Sequence, residues 1–83
     1  MAVKIKTSIP GPKSLSLAQR RSSSVAKGHG TVCNVYIEKA EGSLLEDVDG
    51  NIFIDFAGGI GTMNVGHSHP EILKRIKSQL DKY

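Results

Sequence analysis

The chain reads as an α+β unit: an N-terminal helix, a small antiparallel sheet built on a hairpin, and a following helix. Three observations lead there. Val35 and Ile37 alternate with Tyr36 and Glu38, the period-2 pattern of a half-buried strand. Asp49-Gly50 stands between two short apolar runs, where a tight turn needs residues that tolerate positive φ. Beyond His69-Pro70, Ile72, Leu73, Ile76, Leu80 and Tyr83 recur at helical spacing, with Lys74, Arg75, Lys77 and Lys82 on the other side.

Taken in order, Pro10-Gly11-Pro12 excludes regular structure from the first thirteen residues. Ser14 is placed to cap a helix from about Leu15 to Ala26. Its apolar stripe of Leu15, Leu17, Ala18 and Val25 is sparse, three successive serines weaken it, and Gly28 and Gly30 end it. Strands are expected at 35–40, 43–48 and 52–56, turning at Glu41-Gly42 and Asp49-Gly50, with Ile52, Ile54 and Phe56 on one face. Residues 57–69 carry Gly58, Gly59, Gly61 and Gly66 and read as a long glycine loop, a length that is usually functional or disordered. Pro70 then suits the first helical position and Glu71 the first turn of a helix over 70–83. No C-cap signal follows, so the sequence is expected to stop in mid-element, as a fragment would. The division is therefore a basic N-terminal arm with its helix, 1–30, and a sheet-loop-helix part, 31–83.

Composition narrows the function classes. A chain of 83 residues is one small domain or a piece of a larger one. At this size only ~60% of the unfolded surface is buried, so stability without help is marginal. The single cysteine, Cys33, excludes an internal disulfide and fits a reducing compartment. No apolar run of ~18 residues is present to span a membrane. The arm holds Lys4, Lys6, Lys13, Arg20, Arg21 and Lys27 with no acid, whereas the rest holds more acids than bases. Such an arm raises nucleic-acid or membrane contact, or an organelle address. It has no aromatic residue to stack on a base, and a solvated or interface arm is the reading preferred.

Several constellations bear on chemistry. Gly59-Ile60-Gly61 follows a strand as a dinucleotide fingerprint does, but the third glycine is replaced by Asn64. Gly61 to Ser68 falls one residue from a phosphate-binding loop, with His67 where the lysine must stand. His67 and His69, two apart, and His29 and Cys33, four apart across Gly30, do not have metal-ligand spacing. The histidines of the glycine loop are expected to hydrogen-bond its backbone. Cys33 has no evident base to activate it. Asp47, Asp49 and Asp55 are assigned to turn chemistry and solvation.

The order of these segments carries a resemblance. Ala40-Glu41-Gly42, Asp47-Val48-Asp49-Gly50-Asn51, Ile54-Asp55-Phe56-Ala57-Gly58-Gly59-Ile60-Gly61 and Asn64-Val65-Gly66-His67-Ser68-His69-Pro70 resemble the opening of the class III pyridoxal-phosphate-dependent aminotransferases. Ile9-Pro10-Gly11-Pro12-Lys13 and Arg20-Arg21 are similar to the lead-in of bacterial 4-aminobutyrate (GABA) aminotransferases, and the match extends from about Ile9 to Tyr83. Thr62-Met63 departs from the two aliphatic residues frequent there, and Phe53 from a frequent tyrosine.

The resemblance implies a fold of the aspartate-aminotransferase type (fold type I), of which 31–83 opens the small domain, in a cytoplasmic homodimer or higher oligomer. Its partners are an amino acid and a 2-oxo acid, with no nucleic acid and no membrane. The implied reaction moves the amino group of 4-aminobutyrate, or a similar ω-amino acid, to 2-oxoglutarate. Pyridoxal phosphate would be bound by a lysine downstream, since none of the eight lysines here matches the family's lysine motif. No catalytic, cofactor-binding or metal-ligating residue is therefore assigned. Substrate binding is assigned to Ile60 and Gly59: the isoleucine falls where relatives place a side chain near the substrate, which tends to be aromatic in ornithine-handling enzymes and isoleucine in 4-aminobutyrate and acetylornithine enzymes. An aliphatic wall suits a methylene chain, and glycine lets backbone approach it. The isolated segment is expected to be inactive. The alternatives are another ω-amino-acid or acetylornithine aminotransferase and a stand-alone, non-catalytic interaction module.

Overall fold

A computed structural model describes residues 3–28 and 30–83. The elements, in chain order, are helix α1 (Pro12–Ser24), strands β1 (Ile37–Glu41), β2 (Leu44–Asp47) and β3 (Ile52–Ile54), a single turn α2 (Gly58–Gly61) and helix α3 (Pro70–Leu80). The strands form one antiparallel sheet in the order β1-β2-β3. Leu45 lies opposite Ala40 on one side and Phe53 on the other. A register shift between Ile37 and Lys39 marks a bulge in β1. Lys39 and Glu46, paired across the strands, also meet as ions at 3.1 Å, an exposed contact worth little.

Helix α1 begins three residues earlier than the sequence predicts, and Ser14 does not cap it. Pro12 occupies the start, where a missing N–H costs nothing, and the N-cap is Gly11, which has no side chain to offer. The capping acceptor comes from the hairpin instead. Asp49 Oδ1 accepts the N–H of Lys13 at 2.7 Å and Oδ2 that of Ser14 at 3.0 Å. A carboxylate at a helix N-terminus satisfies unpaired donors and complements the dipole, and the first turn of α1 has no acid of its own. Ser14 is left free to accept from the Tyr36 N–H with its Oγ at 3.2 Å. The helix stops at Ser24, before the predicted Ala26 and the glycines. Asp49→Ala is therefore expected to weaken α1, read as faster amide exchange across Leu15–Arg20. Unchanged exchange there would refute the cross-chain cap.

The hairpin turns at Asp49-Gly50 as predicted, but only Gly50, at φ 84°, takes the left-handed region. Gly50 donates its N–H to the Asp47 carbonyl at 3.1 Å, closing a four-residue turn with glycine at its last position. The strands are shorter than predicted. In particular β3 ends at Ile54, so Phe56 does not continue its inner face and stands 92% exposed.

Among the described residues no apolar side chain is fully buried; the buried ones are Ser14, Asp47 and Asn51. The radius of gyration is 15.0 Å, against about 12 Å for a compact chain of this length. The fold is thus drawn together at a polar knot. Asn51 Oδ1 accepts from the N–H groups of Lys6 and Thr7 at 2.6 and 3.0 Å. Its Nδ2 donates to Asp47 Oδ2 at 2.9 Å and Thr7 Oγ1 at 2.8 Å. Asp47 Oδ1 accepts from the N–H groups of Asp49 and Asn51. The arm read as lacking regular structure is stitched to the sheet, since Lys4 and Ile52 exchange both backbone bonds.

Helix α3 ends at Leu80, with Asp81 as C-cap, rather than continuing to Tyr83. Its apolar positions remain open to solvent: Ile76 is 51% and Leu80 70% exposed. No helix among the described residues is long and apolar enough to cross a membrane.

Candidate substrate-facing loop

The segment between β3 and α3, read from sequence as a structureless glycine loop, has a defined shape. Gly58, Gly59, Ile60 and Gly61 all have positive φ, at 57°, 63°, 58° and 76°. The α2 turn is therefore left-handed. Glycine adopts this region freely, whereas each L-residue with a Cβ is disfavoured there by roughly 1–2 kcal/mol. A β-branched residue at φ 58° is the outlier, and such conformations persist only where surroundings impose them. The turn is closed by Gly61 N–H to the Ala57 carbonyl at 3.0 Å and Thr62 N–H to the Gly58 carbonyl at 2.9 Å. Thr62 Oγ1 adds a bond to the Gly59 carbonyl at 2.9 Å. A Cβ on Gly59 would sit 2.6 Å from Thr62 Oγ1, so a larger residue there would displace the threonine hydroxyl as well as strain φ. The result is that Ile60 projects with 93% of its surface exposed.

The base of the loop is held by the turn between β1 and β2. Gly42 and His67 exchange backbone bonds at 2.9 and 2.8 Å, and the Asp55 N–H donates to the Ser43 carbonyl at 2.8 Å. Gly66 lies directly against Gly42: a Cβ at position 66 would stand 3.0 Å from the Gly42 Cα.

The aspartates and histidines correct the sequence reading. Asp47 does turn chemistry as expected, but Asp49 caps α1 and Asp55 pairs with His67. The Asp55 side chain is 8% exposed, and its Oδ2 lies 2.6 Å from His67 Nε2. An ionised carboxylate only accepts, so Nε2 carries the shared proton. Asp55 Oδ1 accepts the Gly58 N–H at 2.8 Å. The His67 bond, followed by the Gly58 N–H, holds the Asp55 carboxyl below the usual aspartate range despite its partial burial. His69 does bond backbone, but that of the helix rather than the loop: its Nδ1 accepts the Glu71 N–H at 3.3 Å, capping α3. The Asp55–His67 pairing spans twelve residues, beyond any local spacing rule. Its only signal in the sequence was that both ends flank one glycine-rich stretch. Cys33 is exposed. His29 lies outside the described residues. No group of three or more His, Cys, Asp or Glu side chains gathers among the described residues.

Asp49 behaves similarly. Desolvation raises its carboxyl, but the Ser14 and Lys13 N–H groups outweigh it and the net shift is downward. A depressed folded pKa contributes stability that is complete above the unfolded value of about 3.9 and lost as pH falls through the lower folded value. Carboxyl-carbon NMR titration is expected to give both aspartates midpoints below about 3.9. A midpoint at or above it for Asp55 would contradict the ionised pairing.

Comparison with known proteins places this geometry. The fold aligns with the structure of Plasmodium falciparum ornithine delta-aminotransferase at a TM-score of 0.75 and 23% identity, over 83% of this chain and 18% of that one. Residues 24–83 match the class III aminotransferase family, and the chain belongs to that family. It is 40% identical over 74 residues to the 4-aminobutyrate aminotransferase of Mycobacterium leprae, covering 89% of this chain and 17% of the relative. It is 45% identical over 67 residues to the 5-aminovalerate aminotransferase of Pseudomonas aeruginosa, covering 81% and 16%. The chain thus spans less than a fifth of the length of these relatives.

Proposed function

We propose that this segment belongs to a pyridoxal-phosphate-dependent aminotransferase of fold type I that transfers the amino group of 4-aminobutyrate, or a closely similar ω-amino acid, to 2-oxoglutarate. Residues 31–83 open its small domain, and Gly59 and Ile60 form part of the wall along the donor's carbon chain. The observation that carries this reading is the left-handed turn, which holds an aliphatic side chain 93% exposed in a chain of this family. A fully exposed isoleucine in a disfavoured conformation has no packing role within the described residues; contact with a methylene chain gives it one. Relatives acting on 4-aminobutyrate and 5-aminovalerate support the donor class.

None of the eight lysines, which lie in the arm, the loop after α1, β1, α3 or the segment that follows it, matches the lysine motif expected of the family. Cofactor attachment is accordingly assigned to sequence beyond residue 83, and the assembly is proposed to be a cytoplasmic homodimer or higher oligomer.

The test is direct. The full gene product, incubated with pyridoxal phosphate, should acquire the visible absorbance of bound cofactor and form glutamate from 2-oxoglutarate faster with 4-aminobutyrate than with N-acetylornithine. The 83-residue chain alone should do neither. Turnover by the short chain, or a full product without cofactor absorbance, would overturn the assignment.

A further inference from the structure

We propose that Asp55 and His67 are positioning residues for donor recognition, a side-chain clasp that fixes where the α2 turn presents Gly59 and Ile60 and so tunes the chain length accepted. This rests on the reading of Gly59 and Ile60 as pocket wall. Three observations carry it. The loop base is already closed by backbone bonds from Gly42 and Ser43 to His67 and Asp55, so the side-chain pair is not needed to close it. The pair instead reaches inward: one carboxylate oxygen holds His67 Nε2 and the other holds the N–H of Gly58, the first residue of the turn. Finally, the turn has a β-branched residue in the left-handed region, which an external hold must maintain. With Asp55 largely shielded from solvent, the hold is made in a site where screening is weak.

The test uses the full gene product loaded with pyridoxal phosphate, with 4-aminobutyrate and 5-aminovalerate as donors. His67→Leu and Asp55→Asn are expected to raise KM for 4-aminobutyrate about tenfold, with a smaller change in kcat, and to shift the preference between the two donors by a similar factor. His67→Gln can place a donating nitrogen near Asp55 and should stay within about threefold of the parent. Ile60→Ala serves as the reference for the wall itself. If Ile60→Ala alters donor KM but His67→Leu and Asp55→Asn do not, the clasp is overturned and the wall stands. If Ile60→Ala has no effect, the wall fails and the clasp with it. Should the clasp variants not fold, the parent protein labelled at histidine decides. A far-downfield, slowly exchanging Nε2 proton on His67 is required, and its absence rejects the pairing.

Discussion

Asn51→Leu is expected to release the N-terminal arm from the sheet. The substitution keeps the volume of a side chain with no solvent exposure but removes all four of its hydrogen-bonding roles. The N–H groups of Lys6 and Thr7 lose their acceptor, and the fully buried Asp47 carboxylate loses its side-chain donor. Leaving such groups unpaired costs roughly 3 kcal/mol in total, because the arm can recover part of the loss by moving into water. Amide exchange at Lys6 and Thr7 should accelerate about a hundredfold, and limited proteolysis should cut near Thr7. Exchange within tenfold of the parent would mean that the Lys4–Ile52 bridge and the Asp49 cap retain the arm without Asn51.

The second large effect is expected at Gly66. Alanine there must adopt φ 86°, and its Cβ would stand 3.0 Å from the Gly42 Cα, with the Gly42 carbonyl oxygen at 3.1 Å. Both neighbours are backbone and cannot rotate away. The backbone of the loop base must give by a few tenths of an ångström, which strains the two Gly42–His67 bonds and the approach of His67 to Asp55. Gly61 provides the control, since its φ of 76° is similarly left-handed but nothing lies within 4 Å of an added Cβ. Gly61→Ala should cost about 1–2 kcal/mol from conformation alone, and Gly66→Ala about 1–3 kcal/mol more, from overpacking against backbone. Thermal denaturation of the two variants beside the parent protein separates these costs. Equal losses would show that the approach of residues 66 and 42 is relaxed without strain.

Neither of these two sites was legible in the sequence, although other parts of the fold were. The hairpin and α3 follow from local rules: Asp-Gly between apolar runs, and Pro-Glu opening a 3.6-residue repeat. Ile60 stood out because an aliphatic residue among glycines matched a family pattern. The roles of Asn51, Asp49 and Asp55 were not legible, because each is decided by partners 12 to 45 residues away. An aspartate beside a turn has the same local signature whether it faces water, a helix end or an imidazole. The shape of the glycine loop was hidden for a related reason. Glycine permits left-handed backbone without demanding it, and the demand here comes from carbonyls, a threonine hydroxyl and a carboxylate placed by the rest of the fold.

The cap supplied by Asp49 also imposes a temporal order on biosynthesis. Residues 12–24 leave the ribosome well before position 49, and a helix of 13 residues is marginal in water without tertiary support. With a glycine at its cap and no acid in its first turn, that early segment flickers until the hairpin emerges to seat its carboxylate. Maturation of the amino-terminal helix is thereby subordinated to completion of the sheet, and a nascent chain stalled before residue 49 should carry it unformed.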